Sequence, residues 1–448
     1  MGFSAEDLFL DFCIISSLLF ISKLIRLRVK FLQKHFIPTA LIAGILAFIG
    51  GKSCLNVLPF SEGISAYCGP LQIMLSASLF IGCKELPSFK KMISSVGDSF
   101  LLNCAAELGQ YGISVIVGCF AAAKLFPEIK EWFGVLMPAG FAGSHGTAAI
   151  VSSVFTEAGF AEAYSIGQTF ATIGLLFGIF GGVAFVNLGV KKGYTKIITQ
   201  EKAQDEEMLT GLVKPENRET IGENTMNSMS IDTLSWHVAL ILTSVSLGYI
   251  LSELSGKLMG GMFKVPVYGI ALAMGIILEL VLKKFKLESY TDERIINRIG
   301  NSVTDYMVAF GIASIDLKIF MGYIKPILFM SAVGIIFSVL FLFTISKKCF
   351  RNYWFERGIF IFGWVTAAMP VALMLLRLVD PGFKSDILKE TSFAWIFLTF
   401  AEIAVVTFVP ALCLRGFNMT CGLLLAAASA AMVGIAFWYT KAGLGKNS

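Results

Sequence analysis

Long uninterrupted apolar segments are the feature that most constrains what this chain can fold into. Eleven segments are long enough to cross a lipid bilayer: 7–29, 36–51, 69–83, 98–126, 164–190, 234–252, 265–282, 300–317, 325–346, 391–414 and 418–440. Short charged clusters separate them, and only 15% of the 448 residues are charged, against about 25% in an ordinary soluble domain. The sequence therefore predicts an all-α integral membrane protein with eleven crossings and excludes a water-soluble globule.

Two further apolar segments, 132–153 and 358–376, differ from the eleven because small residues and a proline interrupt each of them near the middle. Such interruptions disfavour a single continuous helix. Irregular backbone is tolerated at membrane depth only where it faces protein or a water-filled cavity. We therefore expect both segments to be re-entrant.

The distribution of Lys and Arg predicts the orientation of the chain. With the N-terminus outside, 28 of the 36 Lys and Arg residues fall on the cytoplasmic side and 8 on the outer side. Cytoplasmic loops of membrane proteins carry such an excess. The sequence thus predicts an external N-terminus and a cytoplasmic C-terminus. The same excess accounts for the net charge of +5 without a nucleic-acid partner.

A polar segment, 191–233, divides the chain into two apolar halves, 1–190 and 234–414, and leaves 415–448 as an extra C-terminal helix and tail. Four landmarks recur in the same order in both halves: Pro38 with Pro266, Gly82 with Gly311, Thr147 with Thr366, and Gly159-Phe160 with Gly382-Phe383. Five crossings and one re-entrant loop in each half would start the second half on the opposite side of the membrane. Such inverted five-helix repeats are typical of secondary transporters.

The first broken segment contains the densest group of candidate ligands, in Pro138-Ala-Gly-Phe-Ala-Gly-Ser-His-Gly-Thr-Ala-Ala149. Each of its three glycines disfavours a helix by about 1 kcal/mol relative to alanine, so we expect non-helical backbone with exposed N–H groups. A helix that begins at Thr147 would point its positive end at an anion, and Ser144 and His145 would add donors. The alternative is a glycine-mediated helix crossing.

Residues 143–149, Gly-Ser-His-Gly-Thr-Ala-Ala, resemble the Gly-Gly-His-Gly-Thr-Gly-Ala signature of the bacterial sodium/glutamate symporter family. Ile37-Pro38 with Ala43-Gly44, and 170–175 with Gly181-Gly182, resemble the second and fifth spans of that family. The resemblance extends over most of 7–414. It implies ten spans, two re-entrant loops, an inverted repeat and sodium-driven uptake of glutamate across the bacterial inner (plasma) membrane, with Na⁺ as the coupling ion.

The second broken segment departs from the family pattern. Residues 363–372, Gly-Trp-Val-Thr-Ala-Ala-Met-Pro-Val-Ala, stand where the family resembles Gly-x-Gly-Ala-Thr-Pro-Thr-Ala. Alanines replace glycines and Val371 replaces a hydroxyl, so the substrate stays open between glutamate and a related anionic amino acid or dicarboxylate. The candidate substrate-binding residues are Gly143, Ser144, His145, Gly146, Thr147, Thr366, Ala367, Gln110 and Thr172.

Two carboxylates lie inside predicted spans. Glu107 shares a helical face with Asn103 and Gln110, which would line one wall of a cavity. Glu402 stands where the family resembles Phe-Ile-Asp-Ile. A charged carboxylate in hydrocarbon needs a cation or another partner, and oxygen ligands suit a hard cation. The candidate sodium ligands are therefore Glu402, Glu107 and Asn103; the alternative for each carboxylate is a protonated, hydrogen-bonded group. Asp305 is expected to cap the eighth span.

These features favour a secondary active transporter over other membrane proteins. Polar residues cluster at the two broken segments and do not form a continuous pore, which disfavours a channel. Ser144 adjoins His145, but adjacent residues rarely aim at each other and a third orienting carboxylate is missing nearby, which disfavours an intramembrane hydrolase. We expect no enzymatic activity and no cofactor. The expected partners are a small anionic substrate, sodium and membrane lipid. Proton coupling, exchange of another organic anion and a homodimer stay open.

Overall fold

A computed structural model of the protein describes residues 4–83, 89–197, 207, 210–218, 220–258, 265, 267–380, 385 and 387–441. These residues are mainly α-helical, and no β-strand occurs among them. The landmarks Pro266 and Gly382-Phe383 lie outside the described residues, as do parts of the 191–233 linker.

The helices follow the predicted order of apolar segments. In the first half they are α1 (Ala5–Arg28), α2 (Lys30–Lys34), α3 (Thr39–Gly50), α4 (Cys68–Ser78), α5 (Phe89–Lys124), α6 (Phe133–Phe141), α7 (Ser144–Glu157) and α8 (Ala163–Lys191). In the rest of the chain they are α9 (Thr233–Leu258), α10 (Val267–Lys284), α11 (Glu293–Ala313), α12 (Leu317–Gly322), α13 (Ile324–Cys349), α14 (Trp354–Ala367), α15 (Met369–Val379), α16 (Ile387–Leu414) and α17 (Asn418–Lys441). Within α13, Phe341–Ser346 is π-helical. Short 3₁₀ turns occur at Ile64–Ala66, Pro215–Asn217 and Glu288–Tyr290.

Helix starts are set by local capping chemistry. Ser4 precedes α1, where its Oγ accepts a hydrogen bond from the Asp7 N–H at 3.1 Å and the Asp7 carboxylate accepts one from the Ser4 N–H at 3.0 Å. This reciprocal capping box satisfies two N–H groups that would otherwise lack partners. Pro38 precedes α3 in an extended conformation that a proline favours.

Seven helices of the described chain are long and apolar enough to cross a membrane: α1, Gly97–Lys124 of α5, α8, α9, α13, Phe397–Leu414 of α16, and α17. The other four predicted crossings correspond to α3, α4, α10 and α11, which are shorter or more polar. The 12 residues of α3 rise only about 18 Å, against about 30 Å of hydrocarbon. The α-helical, multi-span architecture is confirmed. Of the eleven predicted crossings, seven correspond to described helices that are long and apolar enough to cross a membrane.

Neither interrupted segment is a continuous helix, as predicted, while the re-entrant course expected of both stays a prediction. The first breaks at residues 142–143, between α6 and α7, and the second breaks at Ala368, between α14 and α15. Each break carries a non-glycine residue in the left-handed region, Ser144 with φ of 57° and Ala368 with φ of 69°. Such residues are uncommon, so surrounding packing must hold both breaks.

The expected extent of the first break is wrong. Residues 138–149 are not unwound as a whole, and α7 begins at Ser144, three residues before Thr147. Gly140 lies inside α6, and a Cβ built on it would lie only 2.6 Å from the Ala171 backbone nitrogen of α8. This glycine serves close packing, which the glycine-mediated alternative describes better than unwinding does.

The two halves share an order of elements: four helices that correspond to predicted crossings, with one short helix among them, precede the broken segment, and a long helix follows it. The landmark residues do not align as the sequence suggested. Thr147 follows the first break, whereas Thr366 precedes the second. Gly82 has φ of 81° in the turn after α4, whereas Gly311 lies inside α11. The two landmark pairs that can be compared are therefore not equivalent, and an inverted repeat stays a prediction supported by element order.

Two helix ends assigned to the cytoplasm contact the polar linker. Arg26, near the end of α1, donates to the Thr210 carbonyl oxygen at 2.8 Å. Arg294, at the start of α11, donates to Glu223 of the linker at 2.8 Å. Linker residues therefore cover the ends of one helix from each half.

The ends assigned to the outside contact one another. Asn418, which begins α17, donates to Glu131 before α6 at 3.1 Å. The Tyr323 hydroxyl before α13 donates to Glu162 before α8 at 3.5 Å. The helix ends thus separate into two groups, which the charge asymmetry also distinguishes.

The extra C-terminal helix, α17, packs along α5. The Ser429 hydroxyl donates to the Ala105 carbonyl oxygen at 2.6 Å. A Cβ on Gly112 would lie 2.5 Å from the Ala426 backbone nitrogen, so these helices approach at backbone distance. The extra helix α17 therefore packs against α5, a helix of the first half.

Candidate transport site

A cavity of about 210 Å³ lies where the two broken helices approach each other. The first break contributes Gly143 and Ser144 to its wall, and Thr147 of α7 lies beside them. The second break contributes Ala367 and Ala368. Both interruptions of the helical backbone therefore border one internal space.

The other walls come from helices in both halves of the chain. The polar side chains among them are Gln72 and Ser76 of α4, Tyr268 of α10, Thr304 and Asp305 of α11, and Thr399 and Glu402 of α16. Pro38 and Ala40 at the start of α3 complete the wall. The four helices that are too short or too polar to count as apolar spans all border this cavity. Protein encloses them on that side, so they need less apolar length than a lipid-exposed helix does.

Two helix N-termini face the cavity. The 14-residue α7 begins at Ser144 and the 11-residue α15 begins at Met369, and both residues belong to the wall. First-turn N–H groups lack intrahelical partners and carry the positive end of the helix dipole. Both breaks therefore bring first-turn N–H groups to the cavity, and among the described residues no Lys, Arg or His side chain lines it.

The structure places the predicted site residues in two sets. Five of them line the cavity: Gly143, Ser144, Thr147, Ala367 and Glu402. Seven do not line it: His145, Gly146, Thr366, Thr172, Gln110, Glu107 and Asn103. The second set is buried behind the wall or packed between helices, and the contacts of its members explain why.

His145 connects the first break to α8. Its side chain is fully buried. The Nδ1 atom lies 3.3 Å from the Ser144 Oγ, and the Nε2 atom lies 3.1 Å from the Thr172 Oγ1. Gln168 donates from Nε2 to the His145 carbonyl oxygen at 3.0 Å. His145 and Thr172 therefore hold the start of α7 against α8 and do not face the cavity. No motif in the sequence points to Gln168.

Asn103 and Thr366 have their polar atoms bound behind the second break. The Thr366 hydroxyl donates to the Phe362 carbonyl oxygen of its own helix at 2.7 Å. The Asn103 Oδ1 accepts from the indole N–H of Trp364 at 2.7 Å, and its Nδ2 donates to the Ser99 carbonyl oxygen at 2.7 Å. Asn103 thus fixes Trp364, which lines the cavity, instead of facing the cavity itself.

Glu107 and Gln110 lie deeper in the bundle than the sequence suggested. Gln110 donates from Nε2 to the Ser338 hydroxyl of α13 at 3.4 Å, while its Oε1 has no partner among the described residues. The Glu107 Oε2 is also buried without a hydrogen-bond partner there. The Glu107 carboxyl is close enough to Glu402 for electrostatic interaction. The expected polar face of α5 exists, but it does not line this cavity.

Glu402 joins α16 to the first break. The Thr147 hydroxyl donates to the Glu402 Oε1 at 3.5 Å, the long end of a hydrogen bond. A carboxylate and a hydroxyl oxygen thus meet at the cavity wall, and both are ligands that suit a hard cation. Among the described residues, no group of three or more His, Cys, Asp or Glu side chains is placed to hold a metal ion.

Asp305 does not cap a helix, contrary to the prediction from the sequence. It was expected to cap the eighth span, but α11 begins at Glu293, and Asp292 is its cap, accepting from the Arg294 N–H at 2.8 Å. The polar first turns of α11 concealed its start, so Asp305 lies mid-helix, on the cavity wall. The N-cap residue Asp292 before an amphipathic stretch was the signal that could have corrected the boundary.

A model of the sodium/glutamate symporter family matches residues 7–379. The chain belongs to the sodium/glutamate symporter family. It is accordingly a multi-pass membrane protein of a transporter family and not an enzyme, and the family implies Na⁺ as the coupling ion. The match includes both broken helices and ends before α16, so Glu402 and α17 lie beyond it. A search of curated proteins finds no match.

In this member of the family, Gly146 contacts two side chains of neighbouring helices. A Cβ on Gly146 would overlap the Gln72 Oε1 of α4 and lie 2.7 Å from the Met307 Sδ of α11. We expect Gly146→Ala to lower the melting temperature and the uptake rate. Adding Gln72→Ala should restore at least half of the lost melting temperature, because the double mutant reopens the space.

The Gln72→Ala single variant is the control for that cycle, and thermal unfolding in detergent is the measurement. Additive effects in the double variant would contradict the contact between Gly146 and Gln72.

Proposed function

We propose that this chain is a secondary active transporter that couples sodium entry to uptake of glutamate, or of a related anionic amino acid or dicarboxylate, through the cavity between the two breaks. The observation that carries the proposal is the meeting of two helix N-termini and Glu402 around one internal space. The family match supports sodium/glutamate symport as the activity class.

The helix N-termini at the two breaks provide the anion-binding part of the mechanism. Substrate carboxylates would accept hydrogen bonds from first-turn N–H groups of α7 and α15, and the Ser144 hydroxyl borders the same space. Pro370 removes one N–H from the first turn of α15, so α7 offers the fuller set of donors.

The Glu402 carboxylate and the Thr147 hydroxyl provide the cation-binding part. Sodium at these oxygens would balance the negative charge of Glu402. Thr147 belongs to the same first turn of α7 that faces the anion, so the two ligands would bind within a few ångströms of one element. Opposite charges this close reinforce each other in a low dielectric, and the coupling is reciprocal: each ligand tightens binding of the other.

Uptake by proteoliposomes tests this function. Purified protein should accumulate radiolabelled glutamate when an inward sodium gradient is imposed, and dissipating the gradient should abolish accumulation. Potassium in place of sodium is the ionic control, and protein-free liposomes are the background. A panel of amino acids and dicarboxylates then ranks the substrates.

Proton coupling is the second candidate, and one observation favours it. Glu107 and Glu402 interact electrostatically, and an oxygen of Glu107 has no hydrogen-bond partner among the described residues. One proton shared by this pair would relieve their repulsion as a sodium ion would. Accumulation driven equally well by a pH gradient without sodium would establish this alternative, and exchange of two organic anions would require neither gradient.

The orientation with the N-terminus outside makes a labelling prediction. Cys54 is exposed in the turn after α3, on the side assigned to the outside. Ser230 is exposed in the linker, on the side assigned to the cytoplasm. With the other cysteines replaced, a membrane-impermeant maleimide should label Cys54 in intact cells. In a second variant, in which Cys54 is also replaced and Ser230→Cys provides the single cysteine, labelling should require permeabilisation. Labelling of both positions in intact cells would contradict this topology.

A further inference from the structure

The cavity contains one carboxylate that the anion and sodium sites leave unused. Asp305 lines the wall and is solvent-accessible, in the middle of α11. Among the described residues, its side chain makes no hydrogen bond or ion pair. A carboxylate at membrane depth without a partner is unfavourable. Its presence on a cavity wall points to a positively charged group that arrives with the cargo.

The charge pattern of the cavity has two poles. The positive pole is formed by the N-termini of α7 and α15 at the two breaks, and the described part of the wall contains no basic side chain. Among the residues described there, Asp305 and Glu402 are the negative ones. Glu402 has the Thr147 hydroxyl beside it, which makes a pair of oxygens for a cation. Asp305 is left as the unpaired negative group.

The neighbours of Asp305 suit an ammonium better than a sodium ion. Met307 and Val308 follow it on the wall and offer no side-chain oxygen, which leaves the Thr304 hydroxyl, a donor to the Gly300 carbonyl oxygen at 3.0 Å, as the oxygen ligand from the adjacent wall residues. A hard cation asks for several oxygen ligands. An ammonium needs one strong acceptor and can satisfy its other donors with water or substrate atoms.

We propose that Asp305 binds the protonated α-amino group of the substrate while the helix N-termini at the breaks bind its carboxylate. This inference rests on the proposed function and makes it more specific. The cargo is an amino acid in its zwitterionic form, and a dicarboxylate that lacks an amino group is rejected because it leaves Asp305 unpaired and repelled. Asp305 is thus a specificity-determining residue.

Competition in proteoliposomes tests the assignment. Unlabelled glutarate, which is glutamate without its amino group, should inhibit labelled glutamate uptake at a concentration at least about tenfold above that of unlabelled glutamate, the value of one charge-assisted hydrogen bond. Asp305→Asn should raise the glutamate KM at least about tenfold and bring the two inhibitors close to parity. At saturating glutamate, the sodium concentration for half-maximal uptake should stay within about twofold, because the sodium oxygens are elsewhere and the weakened glutamate affinity no longer affects the apparent sodium affinity.

Glu402→Gln is the matched control, because it also neutralises one cavity carboxylate, and it should shift sodium dependence while preserving the preference for glutamate over glutarate. Equal inhibition by both compounds in the wild type would overturn the proposal. A shifted sodium dependence with intact selectivity in Asp305→Asn would also overturn it and assign Asp305 to the cation.

A second measurement requires neither a variant nor transport: the melting temperature of the purified wild-type protein is recorded with and without ligand. Each amino acid in a panel is compared with the acid that lacks its amino group, with and without sodium. Stabilisation by an amino acid but not by the acid that lacks its amino group supports the role of Asp305. Absence of sodium-driven glutamate uptake would contradict the proposed function without contradicting this role. Absence of stabilisation by every amino acid would overturn it.

Discussion

Glu402→Gln is expected to raise the sodium concentration for half-maximal uptake by at least about a hundredfold, since an opposite charge about 4 Å away contributes several kcal/mol even in a moderately polar interior. The substitution keeps the size of the side chain and the acceptor for Thr147, but it removes the negative charge. The measurement is initial uptake against sodium concentration in proteoliposomes. Selectivity among amino acids should stay unchanged.

Two further variants separate charge from contact at this position. Thr147→Val removes the hydroxyl that donates to Glu402 and should shift sodium dependence in the same direction by a smaller factor. Glu62→Gln neutralises an exposed carboxylate that pairs with Lys52 far from the cavity wall, and it should have no effect. Unchanged sodium dependence in Glu402→Gln would remove this residue from the ion site.

Much of the helical framework is readable from the sequence, because hydropathy reports directly which segments can face lipid. The predicted spans 164–190 and 418–440 coincide with α8 and α17 to within one residue at each end. The prediction was poorest for α3, α4, α10 and α11. Those helices border the cavity on one side, so apolar length no longer defines them.

The candidate site is only partly readable, because glycine has two meanings in a membrane helix. Gly143 lies at a break, whereas Gly140 and Gly146 lie inside helices that need close approach. Both uses depend on the missing Cβ, so a run of glycines predicts an unusual segment without predicting which residues are unwound.

The remaining site residues depend on tertiary placement. Asp305 and Tyr268 lie on different helices of the second half, yet both line the same cavity. No short motif surrounds either residue. Periodicity assigns a residue to a face of its helix, but the neighbour of that face is decided by how the helices pack. Asn103 illustrates this limit: it shares the predicted helix face with Glu107 and Gln110, but that face packs on protein, and Asn103 accepts a hydrogen bond from Trp364.

The packing of both broken helices on α8 depends on Gly174. A Cβ at this position would overlap the Thr366 carbonyl oxygen before the second break and lie 2.9 Å from the Phe141 Cδ1 before the first. A Cβ built on Gly178, one turn along α8, would likewise lie 2.7 Å from the Ala367 Cβ. One glycine-rich face therefore sets the distance between the two breaks, and hence the shape of the cavity between them.

Gly174→Val is therefore expected to abolish uptake and to lower the melting temperature, and Gly174→Ala should show the same effects at smaller size. Overpacking of a buried contact typically costs about 1–3 kcal/mol, and the obstructing Thr366 atom belongs to the backbone, so it cannot rotate away as a side chain can. Gly434→Val is the matched control, because a Cβ there meets nothing within 4 Å. Uptake and thermal unfolding are measured on all three variants. Near-normal uptake by Gly174→Val would mean that transport does not require both breaks to be held against α8.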